Sequence, residues 1–178
     1  MRAMRHACVT VLVVIAVALP SLVWAQAPAP SITKELAAGL QRASNDILDI
    51  AEAMPAEKYG FKPTPEMYTF AAQLVHLAAI SQRFVDTSKG VKTDAPHATT
   101  SKPDVIALLK KNFQNLQEAV TQVNDAQLLE PVKFPFRDLT VTRFAYWQGP
   151  LYQIRNHHGQ LVVYLRLNGI VPPTTARR

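Results

Sequence analysis

The side chains best able to bind a metal ion in this sequence are its histidines. Besides His6 near the N-terminus, the chain has four: His76, His97, His157 and His158. His76 lies in the middle of one predicted helix and the pair His157-His158 in the middle of another. Two helices that each present an inward histidine can place both imidazoles on one ion in a bundle core. The placement of histidines on two predicted helices therefore suggests a metal site shared by these helices.

Two alternatives limit this hypothesis. Successive residues of a helix differ by about 100° around its axis, so His157 and His158 cannot both point inward. A lone histidine on an apolar stripe, as His76 is between Val75 and Leu77, is also more often a hydrogen-bonded core residue than a ligand. His97 falls in a predicted loop, where a histidine is usually exposed to solvent.

The sequence patterns of other common catalytic and binding sites are absent. No Ser-His-Asp order, phosphate-binding glycine-rich loop or pair of carboxylates at catalytic spacing is present. The single cysteine, Cys8, lies in the N-terminal segment, so the rest of the chain has no disulfide, thiolate nucleophile or cysteine ligand for zinc.

The N-terminal segment has the pattern of an export signal. Arg2 and Arg5 precede an apolar run over 7–19, and small residues follow before a cleavage site. We therefore expect 1–25 to be a cleaved signal peptide, 26–30 a flexible lead-in, and the protein to be periplasmic or secreted from a bacterium. The alternative is an uncleaved anchor, because the segment approaches the roughly 20 residues that span a bilayer.

Composition and charge narrow the function classes. Hydrophobic residues make up 48% of the chain and charged residues 18%, which argues against an intrinsically disordered protein. Removal of Arg2 and Arg5 with the signal peptide lowers the formal net charge from +6 to about +4. Because the basic residues are dispersed rather than clustered, we expect no nucleic-acid binding. We also expect no membrane association after signal cleavage.

Apolar residues recur at three- and four-residue spacings in four segments, which predicts four helices. The predicted helices span 32–54, about 70–87, 101–123 and about 140–168. Ser31, Thr69 and Ser101 are candidate N-caps, and Gly169 is a candidate left-handed C-terminus. No convincing pair of strands is present, so the sequence predicts an all-α four-helix bundle over 31–173, followed by a tail over 174–178.

Two of these segments resemble a known family. The sequence TFAAQLVHLA at 69–78 and the sequence HHGQLVVYLRLNGIVPP at 157–173 are similar to the helix motifs of the DinB-like (DinB/YfiT) metalloenzymes. The resemblance covers 31–173. It implies a bundle of the up-down-down-up type and a homodimer.

The resemblance also implies a ligand set. The family holds a divalent metal (Zn, Ni or Fe) with three histidines, one on the second helix and two at i and i+4 on the last. The corresponding residues here are His76, His157 and, in place of the third histidine, Gln153, whose neutral amide is a weaker ligand. A register built on His158 would place Ile154, which cannot bind, at the third position. Flanking positions that can line a pocket are Tyr152, Arg155 and His158.

Two functions stay open at this stage. One is a metal-dependent hydrolase or transferase that acts on a small molecule of unknown identity. The other is a non-catalytic periplasmic binding or structural bundle that has lost the metal, in which His76, Gln153 and His157 hydrogen-bond one another. The sequence therefore leaves open whether the protein is an enzyme and whether it has a cofactor at all.

Overall fold

A computed structural model describes residues 30–94 and 99–176. The predicted signal peptide, nearly all of the lead-in, His97 and the last two residues lie outside these ranges. The described chain contains four long helices and one short one, α1 (Ile32–Ala53), α2 (Phe70–Ser88), α3 (Lys102–Thr121), α4 (Arg143–Leu167) and α5 (Pro173–Ala176). The prediction of a mostly helical protein is confirmed, and the four long helices begin and end close to their predicted bounds.

Residues that can be recognised in the sequence cap the ends of the long helices. The side chains of Ser31, Thr69, Ser101 and Thr142 each accept a hydrogen bond from a backbone N–H in the first turn of α1, α2, α3 and α4. Gly169 follows α4 with φ of 72°, a left-handed conformation that glycine adopts without steric cost. These residues set where the helices begin and where α4 ends.

The long helices surround one core. α1 packs against α3 and α4, and α2 packs against the same two helices, so α1 and α2 occupy diagonal positions. Fully buried side chains from all four helices meet between them, among them Ile47, Leu74, Leu109 and Leu161. Because α2 and α4 are neighbours, residues on their facing sides can share one site. Among the described helices, none combines the length and the apolar character needed to span a membrane.

The all-α expectation omitted a small sheet. Two short strands, β1 (Pro131–Lys133) and β2 (Thr140–Thr142), pair antiparallel with Val132 opposite Val141. Three-residue strands are too short to show a periodicity in the sequence, so this strand pair was not predicted. The segment between the strands carries Phe134 and Phe136, whose rings contact the buried ring of Phe84 on α2. The hairpin is thereby anchored beside α2.

Candidate functional site

His76 of α2 and His157 of α4 meet between these two helices. Their ring centroids are 5.4 Å apart and the ring planes are inclined by 67°. His157 is buried, with 6% of its surface exposed, whereas His76 is exposed at the outer edge of the pair. Of the two adjacent histidines on α4, His157 is therefore the one that faces the histidine of α2.

A chain of two amides holds the His157 ring. The Gln73 Nε2–H group donates to Oε1 of Gln160 at 3.1 Å, which turns Oε1 of Gln73 toward Nδ1 of His157 at 3.0 Å. Because a carbonyl oxygen only accepts hydrogen bonds, Nδ1 of His157 carries the proton. The lone pair is then on Nε2, which is the arrangement of a metal-ligating histidine whose other ring nitrogen donates to a neighbouring group.

The environment of His157 also favours its neutral form. Burial lowers the pKa of His157, and the neighbouring His76, when charged, lowers it further. A histidine must be neutral to bind a metal ion or to accept a proton. The site thus keeps a neutral imidazole available near neutral pH.

The remaining predicted site residues lie at different distances from this pair. Gln153 stands one turn before His157 on α4 and is partly exposed. Arg155 and His158 line a separate cleft of about 240 Å³ between α4 and α1. Tyr152 is 69% exposed. Gln153 therefore lies on the same face of α4 as His157, whereas Tyr152, Arg155 and His158 lie on other parts of the α4 surface.

The donor atoms present fit a metal ion in part. Two imidazoles on one tetrahedral zinc ion, with Zn–N distances of about 2.0–2.1 Å, have ring centroids roughly 5 Å apart, close to the separation of His76 and His157. Within residues 30–94 and 99–176, however, no three histidine, cysteine, aspartate or glutamate side chains are grouped to hold a metal.

A cleft of about 590 Å³ opens beside His76. Its lining includes Ile80 and Arg83 of α2 and Phe136 of the hairpin. The Tyr68 ring lies 5.8 Å from the His76 ring, and the Tyr68 backbone carbonyl accepts a 2.7 Å hydrogen bond from the Tyr164 hydroxyl. The histidine pair is thus joined to a space large enough for a small-molecule ligand.

The sequence profile of the DinB superfamily matches residues 40–160, about two-thirds of the chain, including every residue of the histidine–glutamine site. The chain belongs to the DinB superfamily. No functionally curated protein matches this DinB-superfamily sequence significantly.

Solved structures have the same DinB fold. A DinB-like protein from Bacillus cereus is 15% identical, with a TM-score of 0.69 over 80% of this chain and 96% of that one. A DinB-like protein from Bacillus subtilis is 20% identical, with a TM-score of 0.63 over 76% and 92%. A conserved protein from Enterococcus faecalis is 16% identical, with a TM-score of 0.64 over 78% and 98%. At these identities the likeness establishes the fold alone.

Sequence reasoning missed three residues of this DinB site: Gln73, Gln160 and Tyr68. Gln73 stands three residues before His76, and Gln160 stands three residues after His157. Residues three apart lie on the same side of a helix. A glutamine on the same helical face as each candidate ligand was therefore a signal that the sequence offered. Tyr68 precedes α2 in an irregular segment, and no periodicity places it.

Proposed function

We propose that this DinB-superfamily protein binds a divalent metal ion through His76 and His157, with Gln153 as a weaker third ligand. We further propose that it is a metal-dependent hydrolase or transferase acting on a small molecule held in the cleft beside His76. The observation that carries the proposal is the hydrogen bond from Nδ1 of His157 to Gln73, which leaves Nε2 unprotonated near a second imidazole.

Each residue of the site has a distinct task in this proposal. A divalent ion bound there would supply Lewis acidity, either to polarise a substrate oxygen or to lower the pKa of water. Gln73 keeps the proton on Nδ1 of His157 and prevents the ring from turning. His76 belongs both to the ligand pair and to the lining of the cleft. A substrate in the cleft therefore approaches the metal from the His76 side of the pair. The apolar side chains of Ile80 and Phe136 exclude water from part of that path.

A second candidate function is favoured by a specific observation. The chain from His157 through Gln73 to Gln160 satisfies buried polar groups without any ion. A neutral amide is also a weak substitute for a third imidazole. The same pocket in a protein that has lost the metal would serve as a non-catalytic binding site.

Metal content separates the two functions. The tag-free protein would be analysed by elemental mass spectrometry beside His76→Ala and Gln153→His. His158→Ala is the matched control, because it removes an imidazole from the next residue, on the side of α4 that faces α1. We expect near-stoichiometric metal in the wild type and in His158→Ala, and loss in His76→Ala. A metal-free wild type together with tight binding by Gln153→His would contradict the first function and support the second.

We also propose that the protein is exported through cleavage of 1–25 and that it forms a homodimer. Export is supported by the basic and apolar pattern of the first residues. Dimerisation is supported by exposed apolar side chains on α4, among them Tyr152, Val163 and Leu167. A native N-terminus at Gln26 would support cleavage, and retention of Met1 would contradict it. Light scattering coupled to size exclusion would give the oligomeric state.

A further inference from the structure

The cleft beside His76 has a long wall formed by one stripe of α2. Its members His76, Ile80, Arg83 and Thr87 follow one another at spacings of four, three and four residues, which places them on one side of the helix. Arg83 stands seven positions after His76, so the two side chains leave the helix about 10.5 Å apart along its axis. A ligand that touches both must therefore be elongated.

Arg83, the third residue of this stripe, is an exposed side chain that packs on an aromatic ring. Its guanidinium carbon lies 4.6 Å from the centroid of the Phe136 ring. The Phe136 ring is itself fixed, because it makes an edge contact at 5.4 Å with Phe84, a fully buried residue. A guanidinium that stacks on a ring keeps the N–H donors in its own plane free. Those donors have the geometry that binds a carboxylate through two parallel hydrogen bonds.

The charges that line the cleft are not balanced. Arg83 and Lys92 are its basic residues apart from His76, and Asp94 is its one acidic residue among those described. Neither Arg83 nor Lys92 forms an ion pair within residues 30–94 and 99–176, where the cations of the ion pairs are Lys102, Lys110, Lys133 and Arg143. The cleft thus combines a free, oriented cation with an apolar surface.

We infer that this cleft binds a small carboxylate with an apolar body. The carboxylate pairs with Arg83, the apolar body lies along Ile80 and Phe136, and the opposite end reaches His76. The inference rests on the proposed function only in taking the His76 end as the reactive end. Binding of the carboxylate itself requires no metal, because the Arg83–Phe136 pair is formed by protein atoms alone.

The test is calorimetric binding of 4-phenylbutyrate to the full chain after removal of metal with EDTA, with the neutral 4-phenylbutanol as the uncharged counterpart. We expect the wild type to prefer the carboxylate, and Arg83→Gln to weaken phenylbutyrate binding by roughly tenfold or more while changing phenylbutanol binding little. Phe136→Leu should weaken both probes. Arg42→Gln is the matched control, because Arg42 lies on α1, diagonal to α2.

Equal affinity for the two probes in the wild type, no binding of either, or unchanged phenylbutyrate binding by Arg83→Gln would each overturn the inference. Thermal melts of each variant, followed by circular dichroism, test whether unfolding causes a loss of ligand binding. Metal content is measured on the same preparations before EDTA treatment. A protein that contains metal but does not prefer phenylbutyrate to phenylbutanol would refute this inference alone. A protein that prefers phenylbutyrate but contains no metal would refute the proposed function alone.

Discussion

Oε1 of Gln73 on α2 lies 3.0 Å from Nδ1 of His157 on α4. A side chain on one helix therefore decides which nitrogen of an imidazole on its neighbour carries the proton. The same contact satisfies a buried donor and prevents rotation of the ring. Gln73 also donates a hydrogen bond to Gln160 on α4, so a second residue of α4 sets the orientation of the Gln73 amide.

Substitution of Gln73 tests this relationship directly. In Gln73→Leu we expect the Nδ1–H tautomer of His157 to lose its preference, because no acceptor remains opposite Nδ1. In Gln73→Glu the preference should persist, since a carboxylate accepts the same proton. Long-range ¹H–¹⁵N NMR correlations of the imidazole report the tautomer. Where the wild type binds metal, Gln73→Leu should reduce its affinity roughly 10- to 100-fold. An unchanged tautomer in Gln73→Leu would refute the role given to Gln73.

Asp125 should make the stability of the protein depend on acid pH. Its carboxylate accepts hydrogen bonds from the backbone N–H of Thr33 at 2.8 Å, the backbone N–H of Ile32 at 3.2 Å and the hydroxyl of Ser31 at 3.0 Å. These bonds, the Thr33 backbone bond foremost, lower the pKa of Asp125 in the folded state. Its stabilisation is therefore fully present above the ordinary aspartate pKa of about 3.9 and is lost as the pH falls through the lowered value.

The variant Asp125→Asn should lower the melting temperature at neutral pH and reduce the further loss of stability below about pH 4. Asp138→Asn makes the same chemical change at an exposed ion pair with Lys133 and should leave the melting curve almost unaltered. Thermal melts across a pH series compare the two. Parallel curves for Asp125→Asn and the wild type at acid pH would be inconsistent with this assignment.

Gly149 should be intolerant of any side chain. A Cβ atom at this position would lie 2.5 Å from Cζ of the Phe84 ring, whereas a Cβ at Gly159 of the same helix would meet nothing within 4 Å. We expect Gly149→Ala to destabilise the protein by about 1–3 kcal/mol through overpacking. Gly159→Ala should be neutral or stabilising by up to about 1 kcal/mol. Urea unfolding measures both, and equal midpoints for the two variants would argue against the close packing of Gly149 on Phe84.

Tyr164 should hold the segment before α2 in place. Its hydroxyl donates a 2.7 Å hydrogen bond to the Tyr68 carbonyl, and the ring of Tyr68 lies beside His76. Tyr164→Phe keeps the buried ring and removes this bond, which should cost about 1 kcal/mol and increase amide hydrogen exchange over 61–69. Tyr152→Phe removes a hydroxyl from an exposed ring and is the control. Unchanged exchange in Tyr164→Phe would contradict the anchoring role.

Much of the fold could be predicted because its signals are local. The caps at Ser31, Thr69 and Ser101 and the glycine at 169 act on neighbouring backbone groups, so their residue types and positions suffice. The hairpin of β1 and β2 was not predicted, because its three-residue strands are defined by their pairing with each other and are too short for an alternating hydrophobic pattern.

The sequence by itself determined the four long helices and the helices on which His76, His157 and His158 lie. Through its motifs it also determined membership of the DinB superfamily. It also limited His157 and His158 to one inward position, because the helical angle between neighbours is fixed. The choice between them depended on how α4 packs against α2, and only the tertiary structure decided it. The same holds for the Gln73–Gln160 chain and for Arg83 on Phe136. These contacts join residues far apart in sequence, and their geometry depends on the relative placement of whole elements, which no local pattern encodes.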